Sequence, residues 1–126
     1  MERQPSGIRD LLIVDDDPDI RINLRDIFED LGFSIDTAVD AQEALTLARS
    51  RRYQVLLVDF RMPGMDGVRL VEQMQHLCPE AVPIMITAHL GSSEFPDRAQ
   101  DLRFPVLPKP IDVGRLLPLV EKALAG

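Results

Sequence analysis

The run Val55-Leu56-Leu57-Val58-Asp59-Phe60-Arg61-Met62-Pro63-Gly64-Met65-Asp66-Gly67 decides how the rest of the chain is read. Four consecutive apolar residues suit a strand covered on both faces, because neighbouring side chains on a strand point to opposite sides. The run stops at Asp59, and Pro63, Gly64 and Gly67 then force an irregular loop. Beyond the loop, Val68, Val71, Met74 and Leu77 recur at helical spacing and predict an apolar stripe on a helix. A buried strand, an acidic end and a helix together make one βα unit of a parallel sheet.

The same unit repeats on either side. Leu11 to Val14 is a second fully apolar strand, and it too ends in acids, Asp15, Asp16 and Asp17. A helix follows that opens at Pro18, carries Ile20, Leu24, Ile27, Phe28 and Leu31 on one stripe and stops at Gly32. Phe33 to Val39 reads as a more polar edge strand, and Asp40 with Glu43 forms a capping box for the helix holding Ala44, Leu45 and Ala48. Pro83 to Thr87 and Pro105 to Leu107 supply the fourth and fifth strands. Asp112 caps a last helix with Val113, Leu116, Leu117, Val120, Ala123 and Leu124 on one stripe. Two prolines disturb this order: Pro118 predicts either a kink in the last helix or a helix restarting near that residue, and Pro96 predicts a short, shifted or irregular fourth helix. The expected fold is α/β: a doubly wound, five-stranded parallel sheet of flavodoxin-like order 2-1-3-4-5 with helices on both faces.

At 126 residues the chain suits one domain, and 45% hydrophobic with 28% charged residues suits an ordinary folded globule. Residues 1–8, with Pro5, Ser6 and Gly7 and no apolar period, read as a disordered lead, leaving 9–125 as the domain. A net charge of −7 argues against direct nucleic-acid binding and against anionic membranes. Cys78 is the one cysteine, so neither an intrachain disulfide nor a thiolate zinc site can form. The early apolar run is too short for a signal peptide or a membrane span, so a cytoplasmic location is expected.

Function is written in how the strands end. Asp15 and Asp16, Asp59, Thr87 and Lys109 each follow an apolar run, and in an open parallel sheet the carboxyl ends border the ligand crevice, above all where strand order reverses. Two carboxylates about 4 Å apart repel by roughly 4 kcal/mol at an effective dielectric of 20, so a positive charge has to sit among them. Oxygen ligands without a cysteine or histidine cluster favour a hard divalent ion such as Mg2+. Lys109 is one of only two lysines against twelve arginines, which sets it apart as the matching ammonium. Asp17 is read as a helix cap.

Four segments, Leu12-Ile13-Val14-Asp15-Asp16-Asp17, Val58 through Gly67, Met85-Ile86-Thr87-Ala88 and Pro108-Lys109-Pro110, make the chain resemble the receiver domain of two-component response regulators over residues 9 to 125. The resemblance implies that Asp59 is the phosphoacceptor, receiving its phosphoryl group from a phosphohistidine of a sensor histidine kinase or phosphotransfer protein. It implies Mg2+ held by Asp16, Asp59 and the Arg61 backbone carbonyl, with Asp15 acting through a coordinated water. Lys109 and the Thr87 hydroxyl would contact phosphoryl oxygens, and Lys109-Pro110 would be cis. Arg61 and His89 would tune phosphate lifetime. Output would pass through the face formed by the fourth helix, the fifth strand and the last helix to a downstream protein target or effector domain, with capacity for a phosphorylation-dependent homodimer.

The chain departs from the family pattern at the switch position, where Val106 stands in place of a common aromatic residue. Phe104 lies two residues earlier on the same face, displaced by about 6.6 Å. Readout through backbone shifts in the Pro96 segment is therefore expected in place of a ring flip. Two other classes fit less well. Aspartate-nucleophile phosphatases generally carry an acid two residues after the nucleophile, where this chain has Arg61. A flavin or nucleotide binder would need a glycine-rich loop after the first strand, where this chain has three acids.

Overall fold

The computed structural model of the chain describes residues 8–88 and 104–125. Strands β1 (Ile8–Val14), β2 (Ile35–Ala38), β3 (Arg52–Asp59), β4 (Val82–Thr87) and β5 (Val106–Pro108) pair in parallel, as the alternation of apolar runs and amphipathic stretches predicts, and their order β2-β1-β3-β4-β5 is the flavodoxin-like one expected. The helices are α1 (Pro18–Asp30), α2 (Ala41–Ser50), α3 (Gly67–Leu77) and α4 (Val113–Ala125). The segment expected to hold Pro96 and the fourth helix lies outside the described residues, so α4 is the last helix of the sequence reading.

Alternation along the central strands divides the core in two. Leu12, Val14, Leu56, Val58 and Met85 face Ala44 and Ala48 of α2 and Leu70, Val71 and Met74 of α3. Leu11, Ile13, Val55, Leu57, Ile84 and Ile86 face Leu24 and Phe28 of α1 and Leu116 and Val120 of α4. Because β1, β3 and β4 are covered on both sides, they show the unbroken apolar runs of buried parallel strands. No helix among the described residues is long and apolar enough to cross a membrane.

The caps follow the expected chemistry. Asp17 accepts from Asp19 N and Ile20 N ahead of Pro18. Asp40 accepts from Glu43 N at 2.8 Å, while Glu43 reaches back one residue beyond the cap, to Val39 N at 2.8 Å. Asp112 accepts from Gly114 N at 2.9 Å. At the end of α1, Gly32 N bonds Glu29 O and Phe33 N bonds Phe28 O, and the Phe28 and Phe33 rings meet with centroids 5.7 Å apart. This Schellman closure takes Phe33 out of β2, which is shorter than the Phe33 to Val39 expected. Pro118 neither ends nor restarts a helix: α4 is continuous through it, and Leu116 and Val120 on either side of the ring are buried in the core.

Strand order reverses between β1 and β3, since the chain leaves β1 toward β2 on one side and returns as β3 on the other. The register pairs Val14 with Val58, Asp59 with Ile86 and Thr87 with Pro108. Asp15 and Asp59 therefore stand at equivalent positions on neighbouring strands, with Thr87 and Lys109 next along the same edge.

Candidate functional site

Each polar group of this edge is set by the end of an apolar strand. One carboxylate oxygen from each of Asp15, Asp16 and Asp59 lies within 4.8 Å of the others, with Asp15 and Asp59 buried and Asp16 exposed. Lys109 Nζ reaches across from the far side and stands 3.2 Å from both Asp15 Oδ2 and Asp59 Oδ2. Thr87 is wholly buried at the last position of β4, and its carbonyl accepts from Lys109 N at 2.8 Å. The Lys109-Pro110 bond is cis, as the resemblance implies.

Second contacts fix these groups. Asp15 Oδ1 accepts from Asp17 N at 2.9 Å, so the helix cap also orients the buried acid. Asp59 Oδ1 accepts a long bond from Arg61 N at 3.4 Å. The loop that makes this return possible rests on two glycines. Gly64 has φ +87°, in the left-handed region that side-chained residues rarely adopt, and a Cβ on Gly67 would stand 2.6 Å from Asp59 O and 2.9 Å from Phe60 Cα. Gly67 N also donates to Phe60 O at 2.7 Å, so α3 begins directly against the backbone that leaves β3. The sequence marks both glycines as loop formers; close approach at Gly67 is the finer cause.

The electrostatics are lopsided. Burial pushes the Asp59 carboxyl up to about 6, the neighbouring Asp15 charge adds to the rise, and Lys109 and the Arg61 N–H oppose it. Burial pulls Lys109 down, but Asp59 and Asp15 outweigh it and hold the ammonium above its ordinary value. Among the described residues, one ammonium thus meets the carboxylates of this three-acid cluster directly. Asp15 Oδ2, fully buried, receives no directed hydrogen bond and has only the Lys109 charge for company. An oxygen-only donor set whose buried Asp15 oxygen has nothing beyond a shared ammonium, together with one exposed carboxylate, suits a hard divalent cation that retains waters.

Other residues singled out in the sequence fall in different places. Arg61 is exposed and touches the site through its backbone N–H. Val106 is partly buried on β5, pairs with Met85 and shares the α3-side core with Phe104, so both lie on the expected face. His89 lies outside the described residues. Sequence reading missed Arg21, whose Nη1 donates to Asp15 O at 2.9 Å. Its only sequence signal is a long donor in the first turn after an acidic cap.

A family model described as the response regulator receiver domain matches residues 11–121. A response regulator receiver protein of Anaeromyxobacter sp. is 41% identical over 112 residues, which cover 89% of this chain and 47% of that protein. The DNA-binding transcriptional regulator NtrC of Salmonella typhimurium is 36% identical over 113 residues, covering 90% of this chain and 24% of that protein. The chain spans about half the length of the first of these relatives and about a quarter of the second. Among solved structures, a CheY-like receiver domain protein of Methanospirillum hungatei is similar with TM-score 0.82 and 28% identity, covering 94% of this chain and 95% of that one. The response regulator TrrA of Thermotoga maritima, solved in complex with Mg2+ and a beryllium fluoride, is similar with TM-score 0.78 and 28% identity, covering 91% and 98%.

Proposed function

The chain belongs to the response regulator receiver domain family and is a phosphoacceptor signalling domain; from that premise we propose that Asp59 takes a phosphoryl group from a phosphohistidine of a sensor histidine kinase or phosphotransfer protein. The observation that carries this reading is the Lys109 ammonium at 3.2 Å from two buried carboxylates at the point where strand order reverses. The unit that performs the chemistry is residues 9–125.

Asp59, ionised at neutral pH with its value near 6, attacks phosphorus through a carboxylate oxygen. A P–O bond forms, and the P–N bond of the donor breaks with its electron pair left on the imidazole. Asp16, Asp59 and the Arg61 carbonyl would hold Mg2+, with Asp15 acting through a coordinated water, and the bound ion would supply positive charge against the oxygens of the transferring group. Lys109 turns from the Asp59 oxygen to a phosphoryl oxygen, and the Thr87 hydroxyl donates to another. By resemblance to the family, Arg61 and His89 are the residues that tune the lifetime of the acyl phosphate. These are positioning and electrostatic roles, which suit a slow, self-limited reaction.

The phosphorylated state is read by a downstream protein target or an effector domain through the face around β5 and α4, with Val106 at the switch position, and this face supports a phosphorylation-dependent homodimer. The acidic surface fits a cytoplasmic protein that meets proteins in preference to nucleic acid or membrane.

Acetyl phosphate with MgCl2, followed by intact mass, tests the assignment. Wild type is expected to gain one labile phosphoryl group and Asp59→Asn none; a gain of equal size in both would overturn it.

A further inference from the structure

We propose that Arg21 is a positioning residue for the cation-binding carboxylates, holding the Asp15–Asp16 peptide so that the Asp16 carboxylate faces Asp15 and Asp59. The proposal rests on the reading that these acids bind a divalent cation.

Asp16 is the loosest member of the cluster. It is exposed, and among the described residues its carboxylate makes no hydrogen bond or ion pair. Within its rotamers, the places its carboxylate can reach are therefore set by the backbone that carries it. That backbone is held on both sides. The peptide before it ends in Asp15 O, which accepts from Arg21 Nη1 at 2.9 Å, and the peptide after it begins at Asp17 N, which donates to Asp15 Oδ1 at 2.9 Å. Asp15 N still donates to Ala38 O of β2 at 3.2 Å, but Asp15 lies past the last paired residue of β1, and among the described residues no main-chain donor reaches its carbonyl. Arg21 is itself well anchored: it sits half-buried in the first turn of α1, with its own N–H bonded to Asp17 O at 3.0 Å. One arginine thus ties the first turn of α1 to the acidic loop it follows.

The guanidinium has two effects of opposite sign on a cation. Its charge, close to the acids, disfavours a second positive ion, whereas its hydrogen bond orients a ligand and favours binding. Removing the side chain reveals which effect dominates, because a charge role predicts tighter binding and a positioning role predicts weaker binding.

The test is calorimetric titration of the full chain with MgCl2 at constant ionic strength, without phosphodonor, alongside a urea melt in EDTA. Arg21→Met is expected to weaken Mg2+ binding by about tenfold, the usual scale for loss of a group that orients a ligand, and Arg21→Lys to recover most of it. If Arg21→Met does not fold, Arg21→Leu, which likewise lacks a donor, takes its place with the same expectation. Unchanged or tighter binding in the neutral variant would overturn the proposal, as would a lowered melt with unaltered Mg2+ affinity, the signature of a merely structural contact. Asp16→Asn separates the proposal from its premise: if wild type and Asp16→Asn bind Mg2+ alike, the cation reading itself fails.

Discussion

The sheet carries a charged cluster at each end, and the two are balanced differently. At the amino end Asp36 of β2 is met by Arg51 Nη1 at 3.0 Å, by Arg9 Nε at 3.8 Å and by the Tyr53 hydroxyl, which donates at 2.7 Å. One acid there has two cations and a neutral donor. At the carboxyl end three acids share one ammonium. Burial leads the shift at both ends, and the neighbouring charges differ. At the amino end burial and the bond to Asp36 push the Tyr53 hydroxyl well up, so it stays a proton donor across physiological pH. At the carboxyl end burial and Asp15 raise Asp59 to about 6, leaving a carboxylate whose charge is poorly compensated. A saturated cluster holds strands together, whereas an undersupplied one waits for a ligand.

Gly67→Ala tests how far the undersupplied end depends on backbone fit. The added carbon would press on the carbonyl of Asp59, so urea melts are expected to lose about 3 kcal/mol and acetyl phosphate labelling to slow by about tenfold or more. A variant of wild-type stability and rate would break the argument that α3 is seated on the acceptor strand.

Asp59→Asn sharpens the contrast in the opposite direction. The folded value of Asp59 lies above its ordinary 3.8, so the folded state holds this proton more tightly than the unfolded chain does. Raising the pH from about 4 through 6 withdraws the proton and costs stability. In EDTA the asparagine variant is therefore expected to be more stable than wild type at pH 7 by on the order of 2 kcal/mol, with the gap closing as the pH falls below 4. A gap that widens on acidification would reverse the sign of the argument.

The smallest effect belongs to the saturated end. Tyr53→Phe removes one donor from an acid that keeps Arg51, so a loss of about 1 kcal/mol is expected in urea melts, with labelling of Asp59 unchanged. A matching loss of labelling would show that the two ends are not independent.

Much of this was legible in the sequence for a simple reason. The strands are covered on both faces, so their ends are marked by sharp changes from apolar to polar, and Asp15, Asp59 and Thr87 fall at those changes. The amino ends are not marked. β1 starts at Ile8 and β3 at Arg52, three residues ahead of the apolar runs, because Arg9 and Tyr53 pair there and lend their side chains to Asp36. That network joins residues distant in sequence and leaves no local pattern. Arg21 escaped for a related reason: hydropathy records which face a residue occupies and says nothing of how far an arginine can reach back.

One contact at the sheet rim carries a mechanical corollary. The backbone N–H of Lys109 is bonded to the carbonyl of Thr87 at 2.8 Å, so the two side chains assigned to the phosphoryl group ride on joined main chains. A displacement of either is passed by this bond to the other, and it passes between β4 and the edge strand of the sheet.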